Sequence, residues 1–377
     1  MASAIVTYSV SGQVTYNGNG LGGVTISFSD GLPSVTTNSQ GYWSQGGLTG
    51  SVTVTPSLSG YTFTPSSTTV IGPNNNVNFF ASAPNIIYVT NWGNDTVSVI
   101  NGQTNNVVAT IPTENSPEGV GVNIVTGMIY VTNYSANTVS VINGQTNNVV
   151  ATIPVGNKPD AIGVNPTTNM IYVVNYDDNT VSVINGQTNN VVQTISVGTE
   201  PYGIGINPMT DMIYVANVID NTVSVINGQT NTVVATIPVG NKPDAIGVNP
   251  ITDMIYVVNY DDNTVSVIIN GQTSTVFATI PVGNEPDAIG VNPTTNMIYV
   301  VNYDNNTVSV INGQTNNVVQ TISVGTEPYG IGINPTTNTI YVANSQDNTV
   351  SVINGQTNTV VATIPVGNEP YAVGVLY

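Results

Sequence analysis

The sequence predicts an all-β protein: a seven-bladed β-propeller closed by its C-terminal strand and preceded by a small Ig-like β-sandwich. Three observations carry this. The tetrapeptide Tyr-Val-x-Asn begins at Tyr88, Tyr130, Tyr172, Tyr214, Tyr256, Tyr299 and Tyr341, with five intervals of 42 residues and one of 43, where Ile269 is inserted. A period in this range is what a four-stranded propeller blade needs. Each period holds short runs rich in β-branched residues between turn formers, and amphipathic helical spacing is absent.

The unit from Pro159 reads PDAIGVNPTTNMIYVVNYDDNTVSVINGQTNNVVQTISVG. Its first predicted strand is AIGVN, joined by Asn-Pro-Thr-Thr-Asn to the second, MIYVVN. A turn with Asp177 and Asp178 leads to the third, TVSVI, and Asn185-Gly186 opens the turn to the fourth, VVQTIS. Asn and Gly tolerate the positive φ that such turns demand. The second and third strands are apolar on both faces, which suits a sheet packed between two others.

The ends of the repeat region predict closure. The unit from Asn85 has second, third and fourth strands but no first, and the chain stops after a lone first-type strand, PYAVGVLY. Tyr371–Tyr377 can therefore complete the first blade, leaving no long unpaired inner edge. Residues 84–377 are assigned to the propeller and residues 1–83 to the sandwich, with Ala83-Pro84 as the hinge. In the earlier segment, SGQVTYNGNGLGGVTISFSD and GYTFTPSSTTV alternate as strands between Gly and Pro punctuation.

With these residues in place, the chain resembles the YVTN repeat family, matching as YVTN at Tyr88 and Tyr130, YVVN at Tyr172, Tyr256 and Tyr299, and YVAN at Tyr214 and Tyr341. The resemblance implies likeness to archaeal and bacterial surface-layer and other exported proteins, hence an extracellular or cell-surface setting. The N-terminal segment resembles carboxypeptidase regulatory-like, transthyretin-type β-sandwich modules in SGQVTYNG, LGGVTISF, NSQGYW and NVNFFAS. Those modules commonly carry an Asp shortly before the Gly-aromatic pair; Asn38-Ser39-Gln40 stands there in this chain.

Composition limits the chemistry. Charged residues make up 6% of the chain, with 20 acids against Lys158 and Lys242, no His and no Cys, for a net charge of -18. Phosphate backbones and anionic lipid surfaces require cations, so neither nucleic acid nor a membrane is an expected partner, and no stretch has the length of a membrane helix. His, the commonest general base and transition-metal ligand, is missing, as are Cys and Arg, so only carboxylates, Tyr, Ser, Thr and two Lys remain for chemistry. The segment MASAIVTYSV lacks the basic and apolar stretches of a signal peptide.

Antiparallel strands put the fourth-to-first and second-to-third connections on one face. With Asp30 in the sandwich and Asp211 and Asp253 in first-to-second turns, the other 17 of the 20 acids and both lysines fall on that face. Pairing across the NPTTN turn is expected to set Asp160 opposite Asn175, just below Asp177 and Asp178. The same geometry would gather Asp244, Asp261 and Asp262, and also Asp287, Asp304 and Asn305. Ca²⁺ takes six to eight oxygens, so it is the cation such sets would hold, although no DxDxDG spacing occurs and no cofactor is required. Tyr202 and Tyr329, in Glu-Pro-Tyr, are candidates for stacking on sugars at the rim, against the plainer expectation that they cover the loop below. Asn94, Asn133 and Asn305 head Asn-x-Ser/Thr patterns.

No catalytic residues are assigned, because adjacent acids in one exposed turn share one environment and the channel is expected to carry small and aliphatic first-strand side chains, such as Ala161, Ile162, Gly163 and Val164. The expected function is that of a non-enzymatic extracellular structural or adhesive protein, a subunit of a surface layer or filament whose partner is itself, as a homo-oligomer or lattice, or another cell-surface component. Strand donation by residues 2–10 or by the final strand is one route to assembly. The alternative function is a multivalent carbohydrate-binding or cation-bridged ligand-binding module.

Overall fold

Each Tyr-Val-x-Asn repeat folds as one four-stranded antiparallel sheet. In the repeat quoted above, Pro159–Asn165 pairs with Met170–Asn175, which pairs with Thr180–Asn185, which pairs with Asn190–Ser196. Ile171, Tyr172, Val173 and Val174 are all fully buried, as are Val181, Val183 and Ile184. A strand buried on both faces must have a sheet on either side, and the apolar clusters lie between successive sheets: Tyr172 and Val181 pack with Ile213, Val215 and Ile226 of the next repeat.

The described residues of this computed structural model are 6–16, 18–58, 61–82, 85–269 and 275–377. They divide into two compact units, Met1–Pro84 and Asn85–Tyr377. The larger contains seven four-stranded sheets among its described residues. Their inner strands touch in chain order, and Pro370–Leu376 lies between Pro328–Asn334 and Pro117–Asn123, so the ring closes as a β-propeller. That last strand pairs with Ile86–Asn91 in the register Ile87 to Val375 and Tyr88 to Gly374, completing the first sheet from both ends of the repeat region.

The repeat motif is explained residue by residue. Its Tyr is fully buried in the core in every sheet. Its Asn is also buried and works as a latch: Asn175 Nδ2 donates to Thr180 Oγ1 at 3.0 Å and Ser182 Oγ at 2.9 Å, while Oδ1 accepts from the Gly156 N–H at 3.1 Å. One amide thus ties the second strand, the third strand and the incoming loop, with its polar atoms satisfied as burial demands. Asn133 makes the same bonds to Thr138 and Ser140 and is fully buried, so it is not a surface acceptor for a glycan.

A second amide joins neighbouring sheets on the opposite face. Asn165 Nδ2 donates to Asp211 Oδ1 at 2.7 Å and Asn207 Nδ2 to Asp253 Oδ1 at 2.7 Å, which accounts for the two acids in first-to-second turns. The series continues to Asn334 Nδ2, which donates to Asn85 Oδ1 at 2.9 Å and links the last sheet to the first. At the inner strand, a Cβ on Gly203 would lie 1.9 Å from the Asp244 carbonyl oxygen, so only glycine allows the inner strands to approach this closely.

The smaller unit has two sheets. In one, the strands run Asn19–Gly20, Tyr8–Tyr16, Phe79–Ser82 and Thr62–Thr64, with Tyr42–Leu48 also pairing to Tyr8–Tyr16. In the other they run Val35–Thr36, Thr25–Phe28, Val52–Ser57 and Thr68–Val70. Val14, Ile26, Trp43, Leu48, Val54 and Phe79 form their shared core. Tyr8–Tyr16 and Pro370–Leu376 each pair within their own unit. Residues 2–5 and the hinge Ala83-Pro84 lie outside the described residues. No helix among the described residues is long and apolar enough to cross a membrane.

Candidate functional site

Every inner strand opens with Pro followed by one residue that changes from repeat to repeat. In ring order these are Tyr371, Glu118, Asp160, Tyr202, Asp244, Asp287 and Tyr329. A bulge turns them toward the axis. Pro159 pairs with Asn175 and Ile162 with Val173, so Asp160 and Ala161 together oppose Val174 alone. An extra residue in one strand bends it and re-aims a side chain. The Thr132 hydroxyl donates to the Asp160 carbonyl at 2.6 Å, and Thr90 does the same for Glu118 at 2.7 Å, pinning two of these bulges to the preceding sheet.

The result is a polar constellation at one mouth of the channel, where small and aliphatic side chains were expected. Tyr202 and Tyr371 come from inner strands three places apart in the ring, and their hydroxyls meet at 2.6 Å. Tyr371 stacks on Tyr329 with ring centroids 4.7 Å apart, and Tyr329 meets Tyr303 edge-on at 5.1 Å. At the other end Tyr202 meets Tyr176 edge-on at 6.3 Å, and the Tyr176 hydroxyl donates to Glu200 Oε2 at 2.6 Å. Five tyrosines thus form a bar across the mouth. In ring order it leaves Glu118 and Asp160 on one side and Asp244 and Asp287 on the other.

Desolvation dominates the electrostatics of these four acids, of which Glu118 and Asp160 are buried and Asp244 and Asp287 half-buried. Glu118 and Asp160 are 6% and 5% exposed. Burial pushes the Glu118 carboxyl far above the usual range; the Asp160 charge and the hydrogen bond between them push it further. Asp160 is raised by burial and held down by the same bond, so Glu118 keeps the proton and donates it to Asp160. Burial also raises Asp244, with Asp287 and Asp160 adding to the effect, and pushes Asp287 up to about 8. Such a site can hold protons and make hydrogen bonds.

The structure does not assemble the expected acidic sets. Asp160 is not opposite Asn175, since Pro159 takes that place and the bulge sends Asp160 inward. Asp177 stays at the rim and pairs with Lys158 Nζ at 3.0 Å, while Asp178 accepts from the Asn157 backbone at 2.7 Å. Asp244 turns inward in the same way, Asp261 pairs with Lys242 Nζ at 3.0 Å, and Asp262 accepts from the Asn241 backbone at 2.7 Å. Asp287 likewise leaves Asp304 and Asn305 behind; Asn305 accepts from Asn284 N at 2.5 Å. Among the described residues no three acids lie close enough to hold a metal ion. Tyr202 and Tyr329 sit in the mouth, half-buried and engaged with other tyrosines.

A second repeated feature lies on the perimeter. In the outer strand of each sheet one residue has no partner: Val99 pairs with Ala109 and Ile100 with Val107, leaving Val108 in a bulge. The equivalents are Val150, Val192, Val234, Phe277, Val319 and Val361. All seven are between 52% and 60% exposed. A bulge on an edge strand discourages a continuous ladder with another chain, yet here it also presents an apolar knob at regular intervals on outer strands that carry no charged side chain.

The one sequence signal for the mouth is that acids occur inside the inner strand only directly after its Pro. Among known proteins, the family described as YNCE-like beta-propeller matches residues 125–208. No curated protein sequence matches. Solved structures do: Kuenenia stuttgartiensis hydrazine synthase has a TM-score of 0.62 at 19% identity, over 68% of this chain and 89% of that one. A functionally unknown protein from Desulfotomaculum acetoxidans DSM 771 has a TM-score of 0.69 at 16% identity, over 78% of this chain and 99% of that one. At these identities the likeness is one of fold alone, and the fold it supports is the β-propeller.

Proposed function

We propose that the chain is a non-enzymatic, extracellular structural protein, in which a seven-bladed YVTN-type propeller, preceded by an Ig-like module, associates with other copies of itself into a surface layer or filament. The observation that carries this is the ring of half-exposed bulge residues, Val108 and its equivalents, on outer strands without charge. Covering the exposed half of one such valine contributes about 1 kcal/mol. Association costs roughly 4–15 kcal/mol, so contact through one blade is too weak and several must engage together. A repeated perimeter meets that requirement in an array better than in an isolated dimer.

The test is sedimentation velocity and electron imaging of the full chain over a concentration series, with and without Ca²⁺. Assembly is expected in both, and the triple variant Val150→Lys, Val192→Lys, Val234→Lys is expected to stay monomeric with unchanged circular dichroism. A wild-type particle that is monomeric under every condition would sink the proposal.

A further inference from the structure

The smaller unit contains a groove of about 660 Å³, within the range of small-molecule sites. Its floor is the pairing of Tyr8–Tyr16 with Tyr42–Leu48, in the register Gly12 to Trp43 and Gln13 to Tyr42. One wall is the segment around Asn75 and Asn76, held against the floor by Ser11 N donating to the Asn74 carbonyl at 2.9 Å and Val77 N to the Ser11 carbonyl at 3.0 Å. A Cβ on Gly12 would lie 1.8 Å from the Val77 carbonyl oxygen, so glycine is what lets this wall close on the strand.

The lining is dense in amides whose internal bonds leave one end spare. Asn38 Oδ1 accepts from the Gln40 and Tyr42 backbone N–H groups at 3.0 and 2.9 Å, which leaves its Nδ2 to donate elsewhere. Asn76 Oδ1 accepts from Asn78 Nδ2 at 2.6 Å and Asn75 Oδ1 from the Ser11 hydroxyl at 3.4 Å, again leaving Nδ2 groups. Gln13 Nε2 donates to the Gln40 carbonyl at 3.0 Å, leaving Oε1 as an acceptor. Three pre-positioned donors and one acceptor match a molecule with several adjacent groups that both donate and accept.

Two further facts narrow the class. The only charged side chain in residues 6–82 is Asp30, and it does not line the groove, so no charged group there can pair with an ionic ligand. Strand alternation buries Trp43 in the core and turns Tyr42 out, 53% exposed, as an aromatic plate beside the amides. Hydroxyls round the edge and an apolar C–H face are the pattern of a pyranose ring, which stacks on such a plate. We infer that this groove binds a neutral saccharide, with Tyr42 as stacking platform and Asn38, Asn75, Asn76 and Gln13 as hydrogen-bonding partners.

The site lies on the smaller unit and goes beyond the assembly proposed for the propeller. The probe is an immobilised array of neutral hexose and N-acetylhexosamine oligosaccharides, with sulfated and sialylated members as anionic counterparts, exposed to the full chain. Retention on neutral members is expected, weakened about tenfold by Tyr42→Ala. Asn75→Ala, on an exposed residue, should weaken it too, with circular dichroism unchanged in both variants. Tyr202→Phe and Tyr329→Phe should leave it untouched. No retention on any neutral member, a preference for anionic ones, indifference to both groove variants, or loss in the propeller variants would each overturn the inference.

Discussion

Tyr202 and Tyr371, 169 residues apart, share a hydrogen bond of 2.6 Å between their hydroxyls across the axis of the ring. Each is the partner of the other in a partly buried mouth, so removing one hydroxyl leaves its mate without one. Tyr202→Phe is expected to cost about 1–2 kcal/mol in urea denaturation, and the double change with Tyr371→Phe less than the sum of the singles. Strict additivity would mean that the bond contributes nothing.

The mouth acids make the propeller a protein that prefers mild acid. An acid whose folded pKa is raised binds more protons folded than unfolded, so its contribution is complete below the unfolded pKa near 4 and is lost as pH rises through the folded one. For Asp287 the loss runs up to about 8, and Asp160, Asp244 and Glu118 shift in the same direction. Melting temperatures should therefore fall between pH 5 and pH 9. Asp287→Asn should flatten that slope, which separates the mouth from the general repulsion of an acidic surface; an equally steep slope in the variant would count against the assignment.

The latch amides are not equivalent. Asn175→Ala removes two donated bonds and the acceptor for Gly156, and should cost roughly 2–3 kcal/mol. In the first sheet Asn91 Oδ1 has no partner, because the Gly367 N–H turns to Ser98 Oγ at 3.3 Å instead. Asn91→Ala should thus cost about 1 kcal/mol less than Asn175→Ala. Equal losses in parallel denaturation curves would contradict this.

Assembly through uncharged outer strands should respond to ionic strength rather than to a particular cation. Copies with a net charge of -18 repel, and monovalent salt screens that repulsion while leaving apolar contacts in place. Sedimentation in rising NaCl is expected to show larger particles without Ca²⁺. Assembly that demands Ca²⁺ at every NaCl concentration would instead point to bridged carboxylates.

The sheets, their strand order and the completing role of the final strand were legible in the sequence, because the period, the turn residues and the missing first strand are properties of spacing. The burial of the Tyr and Asn of the motif follows from the same pattern. The mouth was not legible. Strand alternation assigns Asp160 a facing partner in Asn175, and one inserted residue between Pro159 and Ile162 is enough to send it to the axis. The outer bulges were hidden for the same reason, since Val107-Val108 looks like any two strand residues until their partners are known. Sequence alone also placed the aromatic candidates on the propeller, where Tyr202 and Tyr329 are conspicuous through repetition, and passed over Tyr42, which occurs once.

Ring closure also sets a timetable. Ala372 N donates to Thr90 Oγ1, 282 residues away, so at ribosomal speeds the inner edge of the first sheet waits roughly 14–56 s for its strand. During that interval every newly made inner strand is a competitor, and PDAIGVN at Pro159, Pro243 and Pro286 is the same peptide three times over. The first sheet can therefore be completed only after the rest of the ring has been made, in the presence of substitutes that differ little from the rightful strand. Pro370–Leu376 is distinguished from them by Leu376, where the others end in Asn, and a strand ending in Leu is the one that the edge has to wait for.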